Sequence, residues 1–287
     1  MKLIDIHTHG IGGHDTVTTS KEDILKIAAI HGSHGVSEII PTIYSSDIQT
    51  MRKHMAAVKL AMEDQGNSTD RSAHIAGMHL EGPFLNPEKC GALAAPSFLR
   101  PDERFLKSLI DGYEDSVRII TIAPELEGAS KLITQLSDMG IMASMGHSEA
   151  TYTEAEAGYH AGARGITHLF NAMRGIHHRE PGLAGFGLMH QDVYIEVIAD
   201  PFHLDQHIVE MIFRVKNPER IIIVSDTVRA AKTEGSAAGI TNKNDTLLGG
   251  SMTIRESSRR LIELGIDQEV VNRTVSENPA RYLNYRG

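Results

Sequence analysis

Six side chains of types that commonly bind divalent metals lie where apolar, strand-like segments of the sequence end. They are His7, His9, Glu81, His147, His168 and Asp226. Neutral imidazoles and carboxylates suit a zinc-like ion, and binuclear hydrolytic sites use this mixture of ligands. A divalent ion held there would lower the pKa of a bound water and could polarise a carbonyl group. The residue types therefore predict metal-assisted hydrolysis.

His7 and His9 stand two residues apart at the end of the first apolar segment, residues 3–6. Side chains at i and i+2 of a strand point to the same face, so one ion can take both imidazoles. The pattern is weak by itself in a chain with 16 histidines. A buried histidine bonded to backbone is an equally common arrangement, and the position at a strand end is what favours a ligand pair.

Glu81 follows the apolar segment of residues 75–80, and Gly82-Pro83 should end that strand. A carboxylate at the end of a buried strand is costly unless a cation or a substrate pairs with it. A glutamate in a solvated turn is the alternative, and this segment alone does not separate the two. Asp226, after the last apolar segment, is the candidate acid/base that moves a proton from water to a leaving amine. Its alternative role is the N-cap of a following turn.

Eight strand-like segments, most of them followed by helical patterns, position these residues. The strands are predicted at residues 3–6, 36–43, 75–80, 117–123, 141–145, 165–171, 193–199 and 220–224. Ligand-type residues at the ends of several parallel strands are typical of an α/β fold, the (β/α)8 TIM barrel. Because one such barrel takes about 250 residues, the 287-residue chain is expected to form a single domain, residues 1–287, with closing helices at its C-terminal end.

The helical patterns and loops complete this prediction. Helices are expected at residues 21–30, 48–63, 129–139, 151–161 and 205–215, with a short helix after Asp102 and closing helices near 253–264 and 268–282. Asn278-Pro279 should break or kink the last helix. Residues 83–101 and 175–190 are predicted as long loops, and residues 235–250 as a small hairpin. Met51, Met55, Val58 and Met62 form a helical stripe that is interpreted as core filling.

The composition limits the classes of function. The net charge of -9 argues against a general nucleic-acid binder, although a local phosphate pocket stays open. Cys90 is the single cysteine, so no intrachain disulfide can form, and no paired base lies near it in the sequence. No run of about 18 apolar residues predicts a membrane span, and Lys2 and Asp5 do not suit a signal peptide. The cytoplasm is the expected location.

The chain resembles the N-acetylglucosamine-6-phosphate deacetylase family of the amidohydrolase superfamily. The matching motifs occur in the family's order: Asp5-Ile6-His7-Thr8-His9-Gly10, His79-Leu80-Glu81-Gly82-Pro83-Phe84, Gly146-His147-Ser148, Thr167-His168-Leu169-Phe170-Asn171-Ala172-Met173, Arg179-Glu180-Pro181-Gly182, Ser225-Asp226 and Asn278-Pro279-Ala280-Arg281. The second and fourth motifs are specific, whereas the last is common across the superfamily. The resemblance implies a metal-dependent barrel that removes acetate from the 2-acetamido group of a phosphorylated amino sugar.

The resemblance also implies which residues hold the metal. Glu81, His147 and His168 would hold the main ion, and His7 and His9 match a pair that holds a second ion in some members only. One or two ions are therefore expected, with zinc as the first choice and iron or another divalent ion also open. Asp226 matches the catalytic acid/base.

Substrate contacts are implied in the same way. Asn171, Ala172 and Arg179 match positions that hold the sugar phosphate, the first two partly through backbone groups. His203 matches a histidine that contacts the substrate and orients its carbonyl. A planar guanidinium suits bidentate binding of phosphate, which supports the assignment of Arg179. Family members are commonly homodimers, so a homodimer is a further expectation.

Three features depart from the family pattern. A small β-sandwich domain built from both chain ends is expected to be missing. Leu93 stands where the family usually has the histidine of a Gly-x-His motif, which reaches the substrate. Asp200-Pro201-Phe202-His203 replaces Asp-Gly-x-His, and Thr227-Val228-Arg229-Ala230 replaces a run of small residues. The metal chemistry is unaffected, but a site that loses a polar contact loses discrimination between substrates.

Three functions therefore stay open. The first is deacetylation of an N-acetyl-hexosamine phosphate, most directly N-acetylglucosamine-6-phosphate. The second is the same chemistry on a different N-acyl amine or on an unphosphorylated N-acyl sugar, and Arg179 favours the phosphate over it. The third is a non-catalytic sugar-phosphate sensor, against which the complete set of ligands and Asp226 both argue.

Overall fold

Eight parallel strands form a nearly closed barrel in this computed structural model, which describes residues 1–67, 72–233, 239–242 and 245–284. The barrel strands are β1 (Ile4–Thr8), β2 (Glu38–Tyr44), β3 (Met78–Glu81), β4 (Val117–Ile122), β5 (Met142–Met145), β6 (Gly165–Ile166), β7 (Tyr194–Ile198) and β8 (Ile221–Val224). Each strand pairs with the next one along the chain. A parallel bridge between Thr8 and Thr227, just beyond β8, joins the last strand to the first. The predicted TIM barrel is confirmed.

Helices cover the outside of the barrel and connect its strands. The described residues include α1 (Lys21–Ser33), α2 (Ile48–Asp64), α3 (Glu103–Ile110), α4 (Ala129–Asp138), α5 (Tyr152–Ala161), α6 (Gly182–Met189), α7 (Gln206–Val215), α8 (Ile254–Glu263), α9 (Gln268–Thr274) and α10 (Glu277–Leu283). Side chains of Ser20, Asp47 and Thr151 accept backbone N–H groups in the first turns of α1, α2 and α5. These caps explain why the starts of the three helices were predictable.

The apolar interior follows the predicted pattern. Met51, Met55 and Val58 on α2 are fully buried, and Met62 packs partly buried against the same core. In register, Glu81 at the end of β3 is level with Tyr44 of β2 and Thr121 of β4. The carboxyl ends of neighbouring strands therefore lie at one height. None of the helices in the described part of the chain is long and apolar enough to cross a bilayer.

The segment of residues 175–190 was expected to be a loop, but it contains helix α6. Three glycines, Gly182, Gly185 and Gly187, lower the intrinsic helix propensity of this segment and hide the pattern. Residues 182–188 are all buried, so packing supplies the stability that propensity lacks. A Cβ atom on Gly187 would lie 2.8 Å from Ile166 Cδ1, which shows why the helix needs glycine to approach the barrel.

Two other boundaries differ from the prediction. The segment of residues 165–171 was expected to be one strand, but only Gly165–Ile166 is a strand because the chain turns sharply after it. The last predicted helix, residues 268–282, is divided into α9 and α10. The division precedes Pro279, which lies in the first turn of α10, where a missing N–H does not break a helical bond.

The hairpin predicted at residues 235–250 is confirmed in its described part. Ile240–Thr241 pairs antiparallel with Leu247–Gly249. Residues 235–238 of the predicted segment, and Lys243 and Asn244, lie outside the described residues. The single domain spanning residues 1–287 stays a prediction.

His31 on α1 gives the fold a specific dependence on pH. The side chain is fully buried, with Nε2 3.0 Å from Thr8 Oγ1, and burial, assisted by His34, lowers the pKa of His31 from 6.5 to about 3. Below pH 6.5 the unfolded chain protonates His31, whereas the folded chain does so only near pH 3. The unfolding free energy is therefore highest above pH 6.5 and decreases as the pH falls from 6.5 towards 3. We expect His31→Gln to flatten the pH dependence of the unfolding free energy in this window by roughly one proton, on the order of 1 kcal/mol per pH unit.

Denaturant unfolding of chelated wild type and variant at several pH values measures this difference. Equal slopes of the unfolding free energy against pH in the two proteins, between pH 6.5 and 3, would contradict the assignment to His31.

Candidate metal centre

Three predicted ligands converge at the carboxyl ends of the barrel strands. Glu81 ends β3, His147 follows β5 and His168 follows β6. Their ligand atoms lie within 4.8 Å of one another, and Glu81 Oε1 is 3.1 Å from His147 Nε2 and 3.0 Å from His168 Nε2. All three side chains are buried. The structure thus brings the predicted ligands of the main ion to one point.

His7 and His9 form a second group with Asp226. Their Nε2 atoms are 3.3 Å apart, and each is 3.4 Å from Asp226 Oδ1. Glu81 faces both groups, because its Oε2 lies 3.3 Å from His9 Nε2 while its Oε1 faces the other two histidines. Oε1 is also 3.6 Å from His7 Nε2, so the Glu81 carboxylate would contribute to an ion held at either group.

The hydrogen bonds behind the histidines fit a metal centre. The Nδ1–H groups donate to backbone or carboxylate oxygens: His147 to Lys89 O at 2.8 Å, His9 to Thr42 O at 3.1 Å and His7 to Glu196 Oε2 at 2.9 Å. In these tautomers each Nε2 carries a lone pair that points into the cluster. Several lone pairs and carboxylate oxygens that face one another in a buried site match the donor set of a zinc-like divalent cation.

Three residues of the metal centre have a left-handed backbone conformation. The φ angles are 48° at His147, 32° at His168 and 47° at Asp226. Each such angle in a non-glycine residue costs on the order of 1–3 kcal/mol and persists where surrounding structure enforces it, often at functional sites. Here the sharp turns directly after the strands direct the three side chains towards the barrel axis.

The two central carboxyl groups have opposite pKa shifts. Burial and the nearby Glu81 carboxylate raise the pKa of Asp226 well above its usual range. Burial alone would raise the pKa of Glu81 as well, but the imidazoles of His147 and His168 more than offset it and hold that pKa well below its usual range. Carboxyl groups separated in this way suit different roles, Glu81 as an anionic ligand and Asp226 as a proton carrier.

A cavity of about 300 Å³ opens over the cluster. Asn171, Ala172 and His203 line it together with Leu93. Two larger cavities of about 620 Å³ lie at the opposite, amino-terminal ends of the strands. Neither contains any of the ligand groups found among the described residues, so the smaller cavity is the one placed for chemistry.

The predicted substrate residues separate into two sets. His203 lines the cavity and its Nδ1–H donates to Asp200, 3.0 Å from both carboxylate oxygens, which fixes the ring and leaves Nε2 for the cavity. Asn171 also lines it, and its amide donates to His168 O at 3.2 Å. Arg179 is exposed, outside the residues that line the cavity, with Nη1 2.8 Å from His178 Nε2. Its role in phosphate binding stays a prediction.

Sequence reasoning missed several residues that support the centre. Tyr44 stacks on His9, with ring centroids 3.8 Å apart and planes at 13°. Glu125, after β4, accepts hydrogen bonds from Asn86, Ser148 and the backbone of Glu149, and so joins the loops after β3 and β5. No sequence pattern marks either residue, because their partners lie far apart in the chain.

Glu196 is a further supporting residue, and its sequence carried a usable signal. It is a charged residue in the middle of the apolar strand β7, buried at 2% exposure, with its Oε2 accepting the Nδ1–H of His7. A carboxylate behind a ligand histidine fixes the tautomer and raises the basicity of the ligand nitrogen. A charge inside a buried strand is costly without a partner, and that expectation alone could have identified it.

We expect Glu196→Gln to weaken ion binding at the His7–His9 group by about 10–100-fold. The group formed by Glu81, His147 and His168 should keep its ion, because Glu196 contacts none of those imidazole nitrogens in the hydrogen bonds described. Zinc titration of the chelated protein against a competing chelator measures both affinities.

Thr121→Val is the matched control, since Thr121 is also a buried polar residue of the barrel interior but bonds to His79, 2.8 Å away. Unchanged affinity at both groups in Glu196→Gln, or an equal loss in the control, would contradict the assigned role.

A (β/α)8 barrel with imidazoles and carboxylates converging at the carboxyl ends of its strands is the architecture of a metal-dependent amidohydrolase. No protein-family model matches the chain. The chain is 29% identical to N-acetylgalactosamine-6-phosphate deacetylase of Escherichia coli O157:H7, over 99% of this chain and 78% of that enzyme. The crystal structure of N-acetyl-D-glucosamine-6-phosphate deacetylase from Mycobacterium smegmatis shares 30% identity with a TM-score of 0.90, over 99% of this chain and 78% of that one. The chain belongs to the N-acetylglucosamine-6-phosphate deacetylase family.

A further solved structure adds a ligand to this comparison. A mutant of the Mycobacterium smegmatis enzyme in complex with N-acetyl-D-glucosamine-6-phosphate is 29% identical with a TM-score of 0.87, covering 99% of this chain and 77% of that one. The chain spans 56 to 78% of the length of eight curated relatives.

Proposed function

We propose that this chain is a metal-dependent amide hydrolase that removes acetate from an N-acetylated hexosamine 6-phosphate, with N-acetylglucosamine-6-phosphate as the first candidate. The observation that carries the proposal is the convergence of two histidine groups on the single carboxylate Glu81, with Asp226 Oδ1 3.4 Å from both His7 Nε2 and His9 Nε2. In this proposal Glu81, His147 and His168 would hold the main ion, with zinc as the first choice.

The proposed hydrolysis assigns the proton transfers to Asp226 and the activation of water to the bound cation. When bound, a divalent cation would acidify a water and polarise the amide carbonyl. The carboxyl of Asp226 faces the same cluster and accepts the proton of the attacking water. It then delivers this proton to the amide nitrogen as the C–N bond breaks, which gives acetate and a free amine.

Several residues that line the cavity match family positions that contact a sugar phosphate. Asn171 and Ala172 are assigned to the phosphate, and His203, held by Asp200, is assigned to the carbonyl. The names of the relatives differ in the sugar, since one acts on the galactosamine and another binds the glucosamine derivative. Both hexosamine phosphates are therefore candidate substrates.

A second candidate is the same hydrolysis on a different N-acyl amine or on an unphosphorylated sugar. Two observations favour it: Arg179 is exposed outside the cavity lining, and the apolar Leu93 lies in that lining. Both reduce the polar contacts that a phosphorylated hexosamine would receive.

Steady-state release of acetate from N-acetylglucosamine-6-phosphate, from its galactosamine counterpart and from unphosphorylated N-acetylglucosamine separates these candidates. We expect the zinc-reloaded protein to prefer a phosphorylated sugar by about 100-fold or more in kcat/KM. Equal rates with and without phosphate would favour the second candidate. No release from any of the three, with zinc verified as bound, would contradict the proposed substrate class.

A further inference from the structure

A second cavity, of about 270 Å³, adjoins the metal cavity. The two share three lining residues, Tyr44, Ala92 and Leu248. The described residues that line only the second cavity are Asp15, Val228, Arg229, Ala230 and Ile240. We call this second cavity the side chamber. Because Tyr44 stacks on His9, the side chamber begins directly beside the metal centre.

The side chamber lies across the barrel from the residues assigned to the phosphate. Tyr44 ends β2, and Val228 and Ala230 follow β8. Asn171 and Ala172 follow β6, which stands opposite β2 in a barrel of eight strands paired in sequence order. The metal cavity therefore runs from the β6 side, past the ligands, to the side chamber.

The orientation of the scissile C–N bond determines which part of the substrate lies near the side chamber. In an N-acyl amino-sugar phosphate, the sugar and its phosphate lie on the nitrogen side of the C–N bond, and the alkyl part of the acyl group lies on the carbonyl side. If the phosphate is held on the β6 side, the carbonyl sits at the metal centre and the alkyl part extends towards the side chamber. We propose that the side chamber receives this alkyl part, so that the substrate class includes N-acyl amino-sugar phosphates with acyl chains longer than acetyl. This inference rests on the proposed function.

The chemistry of the lining matches an alkyl chain. Val228, Leu248 and Ile240 are aliphatic, and Tyr44 presents an aromatic ring. Arg229 is exposed and Asp15 is half-buried, so the two charged residues keep contact with solvent. Each methylene that leaves water against such side chains favours binding by about fourfold. Ala92 and Ala230 are small, which leaves the chamber unfilled.

The test compares N-acetyl, N-propionyl and N-butyryl glucosamine-6-phosphate as substrates of the zinc-loaded full chain. For wild type we expect kcat/KM for the butyryl compound to equal or exceed that for the acetyl compound. Ala230→Phe places a ring in the side chamber and should lower the ratio of butyryl to acetyl kcat/KM by about tenfold or more. Ala94→Phe is the matched control, because Ala94 is an exposed residue that lines neither cavity, and it should leave the ratio unchanged.

A wild type that hydrolyses the acetyl compound but discriminates against butyryl by about 100-fold overturns the side-chamber proposal and leaves the proposed function intact. A butyryl-to-acetyl ratio that Ala230→Phe does not change overturns it as well. Absence of hydrolysis for every acyl group contradicts the proposed function itself. Ile240→Ala enlarges the chamber and gives a second variant if Ala230→Phe does not fold. It should raise the ratio of kcat/KM for an acyl chain longer than butyryl to kcat/KM for acetyl. An unchanged ratio counts against the proposal.

Discussion

Replacing Asp226 with asparagine is expected to lower kcat for acetate release by about 10²–10⁴-fold. The amide keeps the shape of the side chain but cannot take a proton from water or deliver one to the amine. The ion held by Glu81, His147 and His168 should remain, because Asp226 does not belong to that group. Steady-state kinetics together with the zinc content of the same samples measure the effect.

The control for this variant is Asp192→Asn, an exposed aspartate in the turn before β7. It should leave kcat and zinc content unchanged. Full turnover by Asp226→Asn would remove Asp226 from the acid/base role. A wild-type protein that binds the sugar phosphate with zinc present but never turns it over would instead favour the non-catalytic sensor.

Replacing Glu81 with glutamine is expected to remove the bound metal, whether one ion or two, and with it all measurable hydrolysis. The carboxylate contacts both histidine groups: Oε1 faces His147 and His168, and Oε2 faces His9. The amide removes the negative charge and turns an N–H₂ donor towards one set of lone pairs. Loss of a residue that hydrogen-bonds to a metal ligand weakens metal affinity by about 10–100-fold, so loss of the central ligand itself should weaken it further.

Zinc content after dialysis and the melting temperature with and without zinc measure this loss. Bound zinc stabilises the folded chain by an amount that grows with the logarithm of the zinc concentration divided by its Kd, so the zinc-dependent rise in melting temperature should vanish in Glu81→Gln. Glu88→Gln, an exposed glutamate in the loop after β3, should behave as wild type. A zinc content in Glu81→Gln equal to that of wild type would contradict the role of Glu81 as the central ligand.

The convergence of the candidate ligands was predictable because their signal is local. Each lies at the end of an apolar segment, and parallel strands bring such ends together whatever the loops do. The pair His7 and His9 follows from the two-residue period of a strand. The strands and most helix starts were predictable for the same reason, through apolar runs and N-cap residues such as Ser20 and Asp47.

Features that depend on distant parts of the chain were not predictable. Helix α6 was missed because its glycines serve close packing, Gly187 against Ile166 and Gly185 against Pro181, which a propensity argument cannot anticipate. Strand β6 ends early because the backbone at His168 is left-handed, and no local sequence signal indicates this positive φ angle. Arg179 shows the limit of motif reasoning, since the motif gives a residue type but not its place relative to the cavity. The side chamber combines the last residue of β2 with residues that follow β1, β3 and β8, and only the folded chain brings them together.

The central claim is that this cluster of ligands hydrolyses an amide only with its cation. The most direct measurement adds zinc stepwise to the chelated protein and follows acetate release from N-acetylglucosamine-6-phosphate at each step. We expect no release before zinc is added, and a rate that rises with zinc and levels off after one or two equivalents per chain. A full rate in the chelated protein, or no release after zinc saturates the site, would contradict the account.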